Sequence, residues 1–294
     1  MTVVVGLAAI ALVLLPLALR HQRPTLPDPV QGTSTFWALP LDGGPPRLVA
    51  RVKGQFGFPV PTADGRALLA TKSTMLGKTA VWSIPLNGGA PRWIGRAPAN
   101  AQPSWSPDRT LLASSVANGR IDEIGLYDLT GRHVRTITPL HGEGGVSFPS
   151  WGGSNIAFVR MSRPTTGWRL DVEVWRASGG PLWSKRIAYP NGSVTLAPDG
   201  RRLALLQVHK LQLLTEHSRR VLATDAAQEL PVWTPDGRSL VYLDVKERLV
   251  VQDVATRARR VIATGRIAEP SISPDGRTVY ALGFGSKPAV NIPK

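Results

Sequence analysis

The chain has 294 residues, no cysteine, and 35 Lys and Arg against 20 Asp and Glu, for a formal net charge of +15. The lack of cysteine excludes disulfides, thiolate catalysis and zinc–cysteine centres. The basic residues form only short groups, as at Arg219-Arg220 and Arg259-Arg260, so the excess charge belongs to a basic surface and not to a basic tail.

The chain opens with an apolar run. Residues 2–19 carry no charge, and a membrane-spanning helix needs roughly 20 such residues, with about 17 tolerated. No Lys or Arg precedes the run, and the small residues Ala9 and Ala11 lie in its middle, too early for a cleavage site. The expectation is an uncleaved transmembrane anchor over residues 1–19 in preference to a signal peptide. Arg20 and Arg23 follow the run, which by the positive-inside rule favours the cytoplasm for what comes after. Residues 20–34, with Pro24, Pro27 and Pro29, read as a stiff linker.

From residue 35 the pattern changes to short apolar runs separated by turn residues. Residues 231–243 read strand, Pro235-Asp236-Gly237 turn, strand. Pro fixes φ, Asp bonds its own backbone and Gly accepts positive φ. Copies of this unit start at Pro59, Pro103, Pro149, Val194 and Pro270. The turn aspartates Asp64, Asp108, Asp199, Asp236 and Asp275 are 37 to 44 residues apart, except for a 91-residue step that spans two repeats. In that step the third copy has lost its Pro-Asp and carries Trp151, Gly152, Gly153 and Ser154. A period near 40 residues in all-β sequence indicates propeller blades of four strands.

Six further hairpins alternate with these, at residues 35–49, 80–94, 123–137, 172–187, 211–223 and 249–263. Their Asp-Gly-Gly, Asn-Gly-Gly and Thr-Gly turns are hairpin chemistry. The chain starts on a hairpin of this second type and ends on one of the first type, at Pro270, so the two must complete one blade. The expected fold is therefore all-β: a six-bladed β-propeller over residues 35–294, closed by pairing of its N- and C-terminal hairpins and preceded by one transmembrane helix.

The phrase Pro-Ser-Trp-Ser-Pro-Asp at 103–108, its relatives at 231–236 and 270–275, and the hairpins Leu-Pro-Leu-Asp-Gly-Gly and Ile-Pro-Leu-Asn-Gly-Gly resemble the WD40-like Pro-Asp repeats of TolB-like propellers. The resemblance covers about residues 35–284. It implies a propeller that binds partner proteins at its faces and lies outside the cytoplasm, against the charge rule; the extracytoplasmic side is the one expected here.

In such a propeller the first residues of the innermost strands ring one mouth of the central channel. By alignment these are Phe58, Gln102, Phe148, Ser193, Leu230 and Glu269, with Asn191 and Glu229 beside them. The longest loop on that face, 139–148, carries His141 and Glu143, and the connection 161–171 carries Arg163, Trp168 and Arg169. The partner-binding set expected at the mouth is Gln102, His141, Glu143, Phe148, Asn191, Ser193, Glu229 and Glu269. The opposite face holds the turns, with Arg66, Arg109, Arg201, Arg202, Arg238 and Arg277 and, on the second turns, Arg132, Arg219, Arg257, Arg259 and Arg260. With the turn aspartates spent on backbone N–H groups, that face suits an anionic membrane surface.

Enzyme motifs are lacking: there is no Gly-x-Ser-x-Gly, no His-Glu-x-x-His and no phosphate-binding loop. No cofactor is expected. The rival reading is a metal-dependent propeller hydrolase with Glu143, Glu229 and Glu269 converging on the channel. Trp37, Trp82, Trp105, Trp151 and Trp233 fall on strands and read as core, which argues against nucleic acid as a partner. The reading reached is a membrane-anchored, non-enzymatic scaffold for a protein or envelope component.

Overall fold

The computed structural model describes residues 32–73, 79–98, 103–118, 121–138, 144–163, 167–188 and 192–283. The expected anchor and the linker up to residue 31 lie outside them. Among the described residues no helix is long and apolar enough to cross a membrane.

Six four-stranded antiparallel sheets account for the described chain. Blade 1 is β3 (Phe56–Pro61), β4 (Ala67–Ser73), β5 (Thr79–Pro85) and β6 (Arg92–Ala97). Blade 2 is β7 (Ser104–Trp105), β8 (Leu111–Asn118), β9 (Ile121–Asp128) and β10 (His133–Thr136). Blade 3 is β11 (Gly144–Gly152), β12 (Asn155–Ser162), β13 (Arg169–Arg176) and β14 (Pro181–Ile187). Blade 4 is β15 (Ser193–Leu196), β16 (Leu203–Gln207), β17 (Lys210–Leu214) and β18 (Arg219–Ala223). Blade 5 is β19 (Val232–Trp233), β20 (Ser239–Leu243), β21 (Arg248–Asp253) and β22 (Arg259–Thr264). Blade 6 joins the two ends of the domain: β23 (Ile267–Ile272) and β24 (Thr278–Gly283) pair on through β1 (Thr33–Pro40) to β2 (Arg47–Lys53). Thr35 stands opposite Gly283 and Pro40 opposite Thr278, so the ring is closed as the hairpin order requires.

Some middle strands are buried on both faces and so read as continuous apolar runs without alternation. All five residues of β16, Leu-Ala-Leu-Leu-Gln, are buried. Neighbouring blades meet through clusters such as Ala204, Leu206 and Leu213 of blade 4 with Trp233, Leu240 and Tyr242 of blade 5. Blades 1 and 2 approach so closely that a Cβ on Gly95 would lie 1.4 Å from the Leu129 carbonyl oxygen.

The turns explain the repeat. In blade 5, Asp236 Oδ1 accepts the Arg238 N–H (3.0 Å) and the Thr234 hydroxyl (2.6 Å), and that hydroxyl oxygen accepts the Ser239 N–H (2.9 Å). Thr62–Asp64, Ser106–Asp108 and Ser273–Asp275 repeat the arrangement. The hydroxyl two residues before the aspartate is thus part of the signature in four of the five turns, Asp199 having Ala197 there instead, a detail missed when the turn is read as Pro-Asp-Gly alone.

Hydrogen bonds also knit blade to blade. Ser104 Oγ accepts the Trp151 N–H and Ser150 Oγ accepts the Leu196 N–H, both at 2.8 Å, while the Thr195 hydroxyl donates to the Pro231 carbonyl (2.8 Å). On the outer strands Arg135 donates to the Ala177 and Ser178 carbonyls, Lys185 to those of Thr215 and Ser218, and Arg220 to that of Val254. Part of the positive charge therefore serves the ring. Of the arginines read as a free basic face, Arg109 bonds the Pro61 carbonyl of the preceding blade, Arg202 pairs with Asp199, and Arg259 reaches Asp225 between blades.

Candidate functional site

The strand alternation puts two kinds of connection at the mouth: those between blades, and those between the second and third strands of each blade. Three of the inner strands carry the same irregularity there. Phe58 and Pro59 oppose Ala70 alone, Phe148 and Pro149 oppose Phe158 alone, and Glu269 and Pro270 oppose Ala281 alone, each as a β-bulge. The first residue of each pair has a left-handed backbone: φ is 51° at Phe58, 55° at Phe148 and 52° at Glu269. That conformation is costly for a bulky side chain, on the order of 1–3 kcal/mol, and a following proline disfavours α-type conformations further. Proline suits the second position, because the unpaired residue of a bulge needs no N–H. Blade 4 supplies the contrast. It has Val194 where the others have proline, and its register runs without a break from Ser193 opposite Leu206 to Leu196 opposite Leu203.

The bulges of blades 6 and 1 are tied together. Glu269 Oε2 accepts the Phe58 N–H at 2.5 Å, across the seam where β23 meets β3. Beside this seam the Lys72 ammonium lies 5.3 Å from the Phe56 ring centroid and 5.5 Å from that of Trp82. In blade 3 the hairpin connecting β12 and β13 carries Trp168, half exposed, with the Arg163 guanidinium 5.4 Å from its ring centroid. Next to it Arg169 pairs with the nearly buried Asp171 at 2.5 Å. In blade 5 the mouth turn is closed by Asp244, whose fully buried carboxylate meets Arg248 at 2.6 Å. Burial pushes the Asp244 carboxyl up, but hydrogen bonds from the Arg248 side chain and from the Arg248 and Lys246 N–H groups outweigh it and hold the carboxyl below the ordinary range.

The expected mouth residues divide as follows. Phe148 and Glu269 lie on the bulges, Ser193 is the first residue of β15, and Glu229 is half-buried in the connection before β19. Gln102, His141, Glu143 and Asn191 lie outside the described residues. Two readings are corrected. Phe58, Phe148 and Glu269 stand inside their strands and not at the start of them, because β3, β11 and β23 begin two to four residues earlier. The stretch read as a loop over 139–148 is already strand from Gly144, paired to β12 with Gly144 opposite Ser162. Both have one cause: the bulge absorbs the extra residue and lets pairing continue past the proline. Among the described residues no group of three His, Cys, Asp or Glu side chains is placed to hold a metal ion.

No protein-family model matches the chain, and no curated protein is similar to it in sequence. Solved structures do match. A TolB candidate from Agrobacterium tumefaciens superposes with a TM-score of 0.66 at 16% identity, over 87% of this chain and 99% of that one. The fold is TolB-like. TolB from Acinetobacter baumannii matches with a TM-score of 0.52 at 18% identity, over 90% of this chain and 66% of that one. The TolB-like architecture seen in the Pro-Asp repeats is thereby shown, including the ring closed through blade 6.

Proposed function

We propose that this chain is a non-enzymatic scaffold that binds a protein partner at the mouth of the propeller, outside the cytoplasm, and that residues 1–19 hold it at the membrane. The observation that carries the reading is the set of left-handed residues Phe58, Phe148 and Glu269. A fold that keeps three costly conformations at equivalent places, all on one end of its channel, holds that end in a fixed shape on which a partner can dock. Ser193 and Glu229 lie at the same end, and the Trp168 hairpin adds an aromatic–arginine pair of the kind enriched at protein interfaces. The TolB likeness agrees with a partner-binding role.

The test is photo-crosslinking in cells. A photoreactive amino acid at Phe148 or Glu229 is expected to give a discrete protein adduct, and the same residue at Arg201 or Arg238 on the turn face none. Adducts from the turn face alone, or from neither face, would overturn the reading. A reporter that is active on one side of the membrane, fused after Lys294, checks the compartment separately, with extracytoplasmic activity expected.

A further inference from the structure

The sixfold pattern breaks at one turn. Five blades join their first and second strands through five or six residues; blade 3 uses two, Gly153 and Ser154. Gly152 shows what the short turn accommodates: a Cβ there would lie 2.1 Å from the Ala197 carbonyl oxygen, because the blade 4 turn packs onto this strand end. On the other side, toward blade 2, the shortened turn borders a shallow, open cleft of about 440 Å³ on the face opposite the mouth. A place where a repeat breaks its own rule is where a function is expected.

The chemistry of the cleft is specific. Trp151 lines it, and its Nε1 donates to the Gly153 carbonyl (3.1 Å), which fixes the indole as a flat apolar wall. Asp108 and Arg135 also line it. The three hydrogen bonds that Asp108 accepts, from Ser106 Oγ and from Thr110 N and Oγ1, all fall on Oδ1, so Oδ2 has none among the described residues. Arg135 bonds carbonyls through Nη1 and Nη2 and leaves Nε without a partner among the described residues. Ser154 and Ser178 line the same cleft, adding hydroxyls. One carboxylate and one guanidinium offset each other, so the cleft is neutral on an otherwise basic protein. The carboxylate disfavours an anion, and the guanidinium disfavours a cation. What fits is a neutral ring with an apolar face and both donors and acceptors on its edge.

We infer that this cleft binds a saccharide, with the C–H face of one pyranose on the Trp151 indole and ring hydroxyls bonded at Asp108 Oδ2 and Arg135 Nε. The inference is independent of the mouth. Its test is saturation-transfer NMR on the full-length protein in detergent. The probes are the β-1,4-linked trimer of N-acetylglucosamine, maltotriose and, as an aromatic control, N-acetyltryptophan amide. Transfer to the ring C–H protons of at least one saccharide is expected, with affinity falling about tenfold or more in Trp151→Leu. Ser154→Tyr, an exposed position on the rim, is expected to abolish binding while leaving the core intact, and so covers the case in which Trp151→Leu does not fold. Val245→Ala, at an exposed position on the blade 5 mouth turn, should leave saccharide binding unchanged. No transfer to either saccharide, transfer to the aromatic amide alone, or saccharide binding that survives Ser154→Tyr would overturn the inference.

Discussion

Hydrogen bonds from the turn hydroxyls and then from backbone N–H groups hold the carboxyls of Asp64, Asp108, Asp236 and Asp275 below the ordinary value of 3.8. Asp199 is also lowered: burial pushes it up, but bonds from the Arg201 N–H and from Arg202 outweigh that. A folded-state pKa below the unfolded one means that the unfolded chain takes up protons first as pH falls. The stabilisation is therefore fully present above the unfolded value and is lost as pH drops through the folded values. Urea titrations are expected to show a constant midpoint from pH 7 to about pH 5 and a steep fall below pH 4. A midpoint that holds at pH 2.5 would contradict the role given to these turns. Ser150 makes a different contribution. Its buried Oγ accepts the Leu196 N–H of the next blade, so Ser150→Ala strands that N–H and should cost about 1–3 kcal/mol in denaturant unfolding. A cost indistinguishable from zero would mean that the bond is replaced. The sequence shows Pro-Asp plainly, because proline and aspartate act on their own backbone. It does not show that Ser104 and Ser150 bridge blades, because a serine after proline looks the same whether its partner is water or a strand 46 residues away.

Strand order and the turn positions were readable from the alternation of two hairpin types, whereas the bulges were not. A left-handed Phe58, Phe148 or Glu269 has no local signature beyond the proline that follows it, and that proline also precedes the shorter inner strands β7 and β19. What separates these blades is the length of strand continuing upstream, a matter of pairing with a distant partner. The missing Pro-Asp of the third repeat was visible, but the cleft beside it depends on how the neighbouring turns pack. The same limit applies to Arg135, Lys185 and Arg220, which look like solvated surface charge until the next blade's carbonyls are in place. Blade contacts are tight enough to test with one methyl group. Gly95→Ala puts a Cβ into the Leu129 carbonyl, and the backbone must shift to admit it, so a loss of about 1–3 kcal/mol is expected in the same unfolding assay. Wild-type stability for Gly95→Ala would show that blades 1 and 2 are looser than described.

The whole molecule depends on blade 6, whose strands come from both ends of the domain. Ending the chain after Gly265 removes β23 and β24, leaving β1 without its partner β24 and the inner strands of blades 5 and 1 without a neighbour. Such a truncation is expected to aggregate, because it exposes strand edges that the closed ring covers; a monomer with native circular dichroism would contradict closure through this blade. Closure also makes the mouth a fixed frame, on which the proposed function rests. The most direct test of that function is hydrogen–deuterium exchange on the full-length protein, with and without the partner recovered by crosslinking from Phe148. The account expects new protection at residues 56–58, 144–148 and 267–269, with exchange at the turns 106–110 and 273–277 unchanged. Protection confined to those turns, with the bulges exchanging as in the free protein, would contradict it.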